Sequence, residues 1–335
     1  MIRIAVDAMG GDHAPEATVA GALACAGDAR CDFEIVLVGD EQRVRAQFPH
    51  GDIPANISIV HAPEVIEMDD AAAVALRSKR QSSIVRALEM HKAGDVHGFL
   101  SAGNSGAVMA ASTLILGRVE GISRPTIGTF LPSQRGYTLL VDAGANVDSK
   151  PLHLQQFAIM GSIFTELILG IARPTVGLVS IGEEEGKGDA LTVESHALLK
   201  RAPIHFIGNI EGRDILKGTA DVAVCDGFVG NIILKFAESV PAMLKHALRE
   251  QAAKSMFDKL RIGAAIAPMR RAMRTWDYQE AGGVPLLGVN GISLIGHGSS
   301  TPRAITTMIF KAKEMIDRRV HDHIADAMRT LAAHA

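Results

Sequence analysis

The chain is expected to fold as an α/β protein, a doubly wound and mostly parallel sheet with helices on both faces, and this expectation rests on three observations. Short apolar runs of strand length recur along the 335 residues, each ending in a Gly-, Ser- or Asn-rich loop from which a segment of helical spacing departs. The core vocabulary is aliphatic: 47% of residues are hydrophobic but only 4% aromatic, and there are 33 glycines, a balance that favours an α/β enzyme over a protein that stacks nucleic-acid bases on aromatics. Finally, no long polar linker, short repeat or low-complexity stretch divides the chain, so residues 1–335 are expected to form a single α/β domain, in one body or two lobes.

The elements follow in order. Residues 2–8 are an apolar run ending in the loop MGGDHAP, with Gly10, Gly11, Asp12 and His13 ahead of a helix. Residues 33–39 (FEIVLVG) are a second strand, and Asp40 starts the helix after it. A short strand at 57–62 precedes a polar-faced helix over 70–92. Residues 99–116 (FLSAGNSGAVMAASTLIL) show the repeating unit most plainly, a strand, a small polar loop and a small-residue helix. Further strands at 137–142, 175–180, 204–207, 221–225 and 292–295 run into AGANVDSKP, IGEEEGKGDALT, GNIEGRDIL, DGFVGNIILK and GHGSSTPRAI, with a long apolar helix over 152–169.

Helix starts of this kind expose unpaired N–H groups at the positive end of the helix dipole, so Ser101, Gly103, Asn104, Ser105 and Gly106 make a seat for phosphate or another oxyanion. In open α/β sheets the loops at the carboxyl ends of the strands gather on one rim. Asp12, Asn104, Asn146, Lys187, Arg213, Asn231 and Ser299 all lie on such loops and are expected to converge there.

Several chemistries lack their signatures. There is no GxSxG elbow, the glycines of MGGDHAP lack dinucleotide-fingerprint spacing, and no Ser or Thr follows Lys187 as a Walker motif requires. Cys25, Cys31 and Cys225 are too few and too unevenly spaced for a disulfide framework or a zinc site, and fit a reducing cytosol. No signal peptide is expected ahead of the first strand, no metal or cofactor is expected, and a net charge of −3 predicts no nucleic-acid partner.

Residues 236–277 differ in character. Between positions 245 and 274 eight Lys and Arg face only Glu250 and Asp258, a local charge of +6. Leu244, Leu248, Ala252, Met256 and Leu260 recur every four residues, and the apolar stretch 262–269, with Gly263 and Pro268, is expected to break the helix before MRRAMRTW resumes it. The segment reads as a helical hairpin with a greasy tip and basic flanks. Lys259, Arg261, Ile262, Ile266, Arg270 and Arg271 are its contact residues, toward a second subunit, an anionic membrane surface or an acidic protein.

A rim of N–H groups, Asn, Ser and a few cations suits a reaction whose nucleophile is already an anion, such as inorganic phosphate attacking a thioester, where the protein aligns the reactants and stabilises an oxyanion. The motifs VDAMGGDHAP, SAGNSGA, VDAGANVD, IGEEEGKG, GNIEGRD, CDGFVGN, PLLGVNG and HGSS, in that order, resemble the phosphate acyltransferase (PlsX) family of bacterial phospholipid synthesis. The likeness departs at Ala281, where the family pattern has tyrosine. The resemblance implies transfer of a long-chain acyl group from acyl carrier protein to inorganic phosphate, giving acyl phosphate for a membrane glycerol-3-phosphate acyltransferase. It also implies an isocitrate dehydrogenase/phosphotransacetylase-like fold and a cytoplasmic homodimer that visits the membrane peripherally.

On this reading Gly10, Gly11, Asp12, Ser101, Asn104, Ser105 and Gly106 hold phosphate, Lys187 neutralises it, Asn231 donates to the thioester oxyanion and His13 handles the proton. Asp142, Asn146, Arg213, Asp226 and Ser299 complete the substrate-binding set. The alternatives are a phosphotransacetylase-like enzyme acting on short acyl-CoA, a decarboxylating dehydrogenase requiring NAD or NADP and a divalent metal, and a non-catalytic membrane scaffold.

Overall fold

In a computed structural model the backbone is described for residues 1–272 and 282–333, and side chains for 1–269 and 282–331. The first part of the chain builds β1 (Arg3–Asp7), α1 (Glu16–Ala26), β2 (Glu34–Gly39), α2 (Glu41–Arg45), β3 (Ile57–His61), α3 (Ala72–Ser78), α4 (Ser83–Ala93), β4 (Gly98–Ser101) and α5 (Ser105–Ile115). The middle builds β5 (Thr126–Ser133), β6 (Gly136–Val141), α6 (Pro151–Leu169), β7 (Thr175–Val179), α7 (Ala190–Leu199), β8 (His205–Ile210), α8 (Gly212–Lys217) and β9 (Val222–Val224). Then come α9 (Gly227–Lys254), α10 (Met256–Ala272), β10 (Val284–Leu287), β11 (Ser293–Ile295), α11 (Pro302–Asp317) and α12 (Val320–Ala333).

The strands form one sheet in the order β3-β2-β1-β4-β11-β10-β5-β6-β9-β7-β8. Its inner strands are apolar on both faces because helices cover both: Ile4, Ala5 and Val6 of β1 and Leu139, Leu140 and Val141 of β6 have no exposed surface. One core lies under α1, α6, α11 and α12, with Phe33, Phe157, Phe164 and Met308 at its centre. The other lies under α4, α5 and α8 and holds Leu88, Phe99, Val108 and Ile215.

Two element boundaries differ from the sequence expectation. The helix expected over 70–92 is split into α3 and α4, because Gln81 N–H donates to the Glu64 carboxylate (2.7 Å) and Ser82 bridges to Glu64, pulling that stretch out of helical geometry before Ser82 caps α4. The break expected within 262–269 is absent: α10 runs through Gly263 and Pro268, and the chain turns instead at Ser255, whose backbone is extended and whose hydroxyl accepts Asp258 N–H at 3.0 Å. A strong N-cap sets that boundary. The helix expected beyond 272, the side chains of Arg270 and Arg271, and Ala281 lie outside the described residues.

Candidate active site

Sheet pairing decides where the loops meet. Strands β3, β2, β1, β4 and β11 run parallel to one another, and so do β6, β9, β7 and β8. Between the two blocks stand three antiparallel pairings, β11 with β10, β10 with β5 and β5 with β6. An odd number of reversals makes the blocks run in opposite directions. The registers Ser101–Ile295, Ile295–Val284, Leu286–Ile127 and Gly128–Val141 step across the sheet within two residues of one line. The carboxyl ends of β4 and β6 therefore reach the same level from opposite sides. The single rim expected from sequence is in fact two opposed rims, with a cleft where they face each other.

On the first rim a buried carboxylate organises the loops. Asp7, 1% exposed, accepts the Ser101 hydroxyl at 2.6 Å and Met9 N–H at 3.0 Å, and Ser101 in turn accepts Gly103 N–H at 3.0 Å. Burial pushes the Asp7 carboxyl above its usual range, while the hydrogen bonds from Ser101, Ser83 and the backbone pull the other way. Gly10 packs directly on this group; a Cβ there would lie 2.4 Å from the Asp7 carboxylate. Asp12 N–H donates to Gly298 O at 2.8 Å, tying the β1 loop to the loop after β11, where Ser299 holds His297 through a 2.8 Å contact to Nδ1. Asn104 caps α5 by accepting Ala107 N–H, and its amide donates to the carbonyls of Met68 and Asp70. Ser105 and Gly106, at the start of α5, line the cleft.

The second rim repeats the plan. Asp142, fully buried, accepts five hydrogen bonds at 2.7–3.3 Å from Ile127, Gly144 and Ala145 N–H and from the backbone and side-chain nitrogens of Asn146. Burial raises its pKa as well. Asp226 caps α9, accepting Phe228 and Val229 N–H at 2.7 and 2.9 Å, so Asn231 comes one turn into that helix and lies against Gly144.

Between the rims is a cleft of about 450 Å3. Ser105, Gly106, Thr129, Gly144, Asn231, Lys235, Glu238, His297 and Ser300 give it polar lining, and Met109, Ile127, Phe130, Leu131, Leu234, Ala237 and Val284 apolar lining. A larger cavity, about 1170 Å3, lies among α6, the 201–205 turn and α12, and contains none of the expected site residues. Of those residues the structure brings Ser105, Gly106 and Asn231 onto the cleft itself. Gly10, Gly11, Ser101, Asn104, Asp142, Asn146, Asp226 and Ser299 build the loops behind it, and Asp12 and His13 are exposed on the β1 loop. Lys187 and Arg213 do not line it; Arg213 pairs with Glu211 at 2.6 Å, and the loop of Lys187 is held by Ser180, whose hydroxyl donates to Lys187 O.

Sequence reasoning noted Asp7 and His297 without giving either a place in the site, and it missed the apolar lining. A carboxylate closing an otherwise apolar strand was the available signal for Asp7, whereas the apolar lining is assembled from distant segments and left none. Among the described residues no three His, Cys, Asp or Glu side chains gather as a metal-binding group.

Comparison with known proteins agrees with this architecture. Residues 2–323 match the family model described as fatty acid synthesis protein. The chain is 47% identical over 330 residues to a phosphate acyltransferase of Pelotomaculum thermopropionicum, covering 98% of this chain and 96% of that one. It is 50% identical over 317 residues to one of Desulfitobacterium hafniense, covering 94% of each. In fold it is similar to the EutD phosphotransacetylase from Staphylococcus aureus (TM-score 0.62, 16% identity, 94% of each chain) and to the 4-hydroxythreonine-4-phosphate dehydrogenase from Klebsiella pneumoniae (TM-score 0.54, 15% identity, 97% and 100%). By full-length identity to the first two, the chain belongs to the phosphate acyltransferase family within the fatty acid synthesis proteins, and it is an acyltransferase.

Proposed function

We propose that the enzyme transfers a long-chain acyl group from the thioester of acyl carrier protein to inorganic phosphate, giving acyl phosphate for phospholipid synthesis. The observation that supports this most is the lining of the cleft: the start of α5 and the second turn of α9 both reach it beside His297 and Ser300, and Phe130, Leu131, Leu234, Ala237 and Val284 give it apolar surface. Phosphate sits against the N–H groups of Ser105 and Gly106, where the dipole of α5 favours an anion. The acyl chain follows Phe130, Leu131, Leu234 and Ala237. A phosphate oxygen attacks the thioester carbon, and the resulting oxyanion accepts a hydrogen bond from the Asn231 amide. Collapse breaks the C–S bond, and the proton of hydrogen phosphate ends on the carrier thiol. His297 in the cleft lining, or His13 on the neighbouring loop, relays that proton, while Lys187 and Arg213 on the outer loops draw the phosphate anion toward the cleft.

The same reading makes α9 and α10 the contact elements. Phe228, Ile232 and Phe236, one turn apart on α9, are each more than half exposed and fit a second copy of the chain. On α10, Ile262 and the exposed Leu260 and Ile266, with Lys259 and Arg261, suit peripheral contact of a cytoplasmic enzyme with an anionic membrane and its glycerol-3-phosphate acyltransferase.

The test is to mix purified enzyme with palmitoyl-acyl carrier protein and phosphate and to trap acyl phosphate with hydroxylamine, beside palmitoyl-CoA and a phosphate-free control. Phosphate-dependent hydroxamate from the carrier-protein substrate is expected. Product from the CoA thioester alone would replace the donor with acyl-CoA, and silence with both would refute the reaction.

A further inference from the structure

Asp142 is completely shielded from solvent, so it touches no substrate, yet four of its five hydrogen bonds go to the three residues Gly144, Ala145 and Asn146. These are the residues on which the start of α9 rests. Gly227 N–H donates to Asn146 O at 2.8 Å, and a Cβ on Gly227 would lie 2.6 Å from that same oxygen. At Gly230 the approach is closer still: a Cβ would stand 1.8 Å from Asp142 O, so no side chain fits between the helix and the loop. Gly144, at φ +128, places its backbone where a Cβ would be 3.3 Å from the Cβ and Oδ1 of Asn231. A continuous set of contacts thus runs from the Asp142 carboxylate through the loop backbone to the side chain of Asn231, with no flexible side chain in between to absorb a shift.

We propose that Asp142 is a positioning residue that acts through Asn231, holding the amide at the place where the thioester oxyanion develops. The proposal deepens the reading above and rests on Asn231 as the oxyanion donor. Ionised, Asp142 presents acceptors alone, and all five of its partners are donors. Replacement by Asn keeps the shape but turns one acceptor into an NH2 group facing N–H donors, so one side of the loop loses its anchor. The loop then relaxes under Asn231, while the phosphate seat on the opposite rim is untouched.

The experiment is a double-mutant cycle read in kcat and in KM for phosphate. Asp142→Asn is expected to lower kcat at least tenfold with KM for phosphate within about twofold of wild type. In an Asn231→Ala background the same substitution is expected to cost less than a further twofold, because the group it positions is gone. If the two losses multiply instead, Asp142 acts by another route and the proposal fails. If Asn231→Ala alone leaves turnover within about threefold of wild type, the oxyanion role of Asn231 falls, and this proposal with it. Asn146→Ala supplies a second, milder entry to the cycle should Asp142→Asn not fold, because it removes only the 2.9 Å amide bond to Asp142 and the 2.8 Å bond to Pro125 O. Non-additivity with Asn231→Ala is again the expected result, and additivity the overturning one.

Discussion

Asn104 holds two structures together at the start of α5. Its side-chain oxygen caps the helix and its amide ties the segment around Met68 and Asp70 to the same point. Asn104→Ala is expected to cost about 1 kcal/mol of stability for the cap alone and to raise KM for phosphate several-fold with a smaller effect on kcat, as denaturant unfolding and steady-state kinetics would show. That a capping residue belongs at this position is readable from SAGNSG. That its amide is already committed to carbonyls more than thirty residues upstream is not, so the sequence overstated its availability to phosphate. Lys311 carries a different prediction. Burial holds its ammonium down at about 8, its Nζ donates to Gly283 O at 3.0 Å, and Gly283 lines the cleft. Since the folded pKa lies below the unfolded one, the unfolded chain binds more protons between pH 8 and the usual lysine range, and stability rises with pH across that window. Melting curves at pH 7.5 and 9.5 are expected to show this rise in wild type and to lose it in Lys311→Met.

At the scale of elements, the sequence announces helices and strands well where a local signal sets them. Asp40, Asp189 and Thr301 cap α2, α7 and α11, and the apolar runs of β1, β2 and β6 are buried as such runs must be. It misleads where a distant partner or a competing cap decides, as at Glu64 beside Ser82 and at Ser255 ahead of Pro268. The pair α9 and α10 shows the limit from the other side. Phe236 is 72% exposed and Phe257 77%, so residues that a core would bury stand on the surface. For the dimer proposed above, Phe236→Ser is expected to shift sedimentation toward the monomer. Leu260→Ser with Ile266→Ser is expected to abolish flotation with anionic vesicles while leaving the dimer intact; unchanged behaviour of both variants would remove the contact roles given to these helices.

For the whole molecule, the reversal of the second strand block is what creates an enclosed site, and it was the least legible feature. Strand identity follows from local pattern, but strand direction follows from which neighbours pair, and β10 and β5 are joined across more than 150 positions of sequence. With a single rim, the loops after β4 and β6 would have stood side by side; with two, they face each other across the cleft. The same topology also shapes how the protein comes into being. β4 ends at Ser101, yet its outer neighbour β11 belongs to a segment that begins with β10 at Val284, about 180 residues later. At typical rates of synthesis that interval lasts roughly 10–40 s, during which the nascent first block presents a raw strand edge that no later part of the chain has yet covered. The lining of the cleft, which includes His297 and Ser300, is completed only after β11 has been made, so a product terminated before β10 lacks that lining and keeps an uncovered strand edge open to pairing with its own kind.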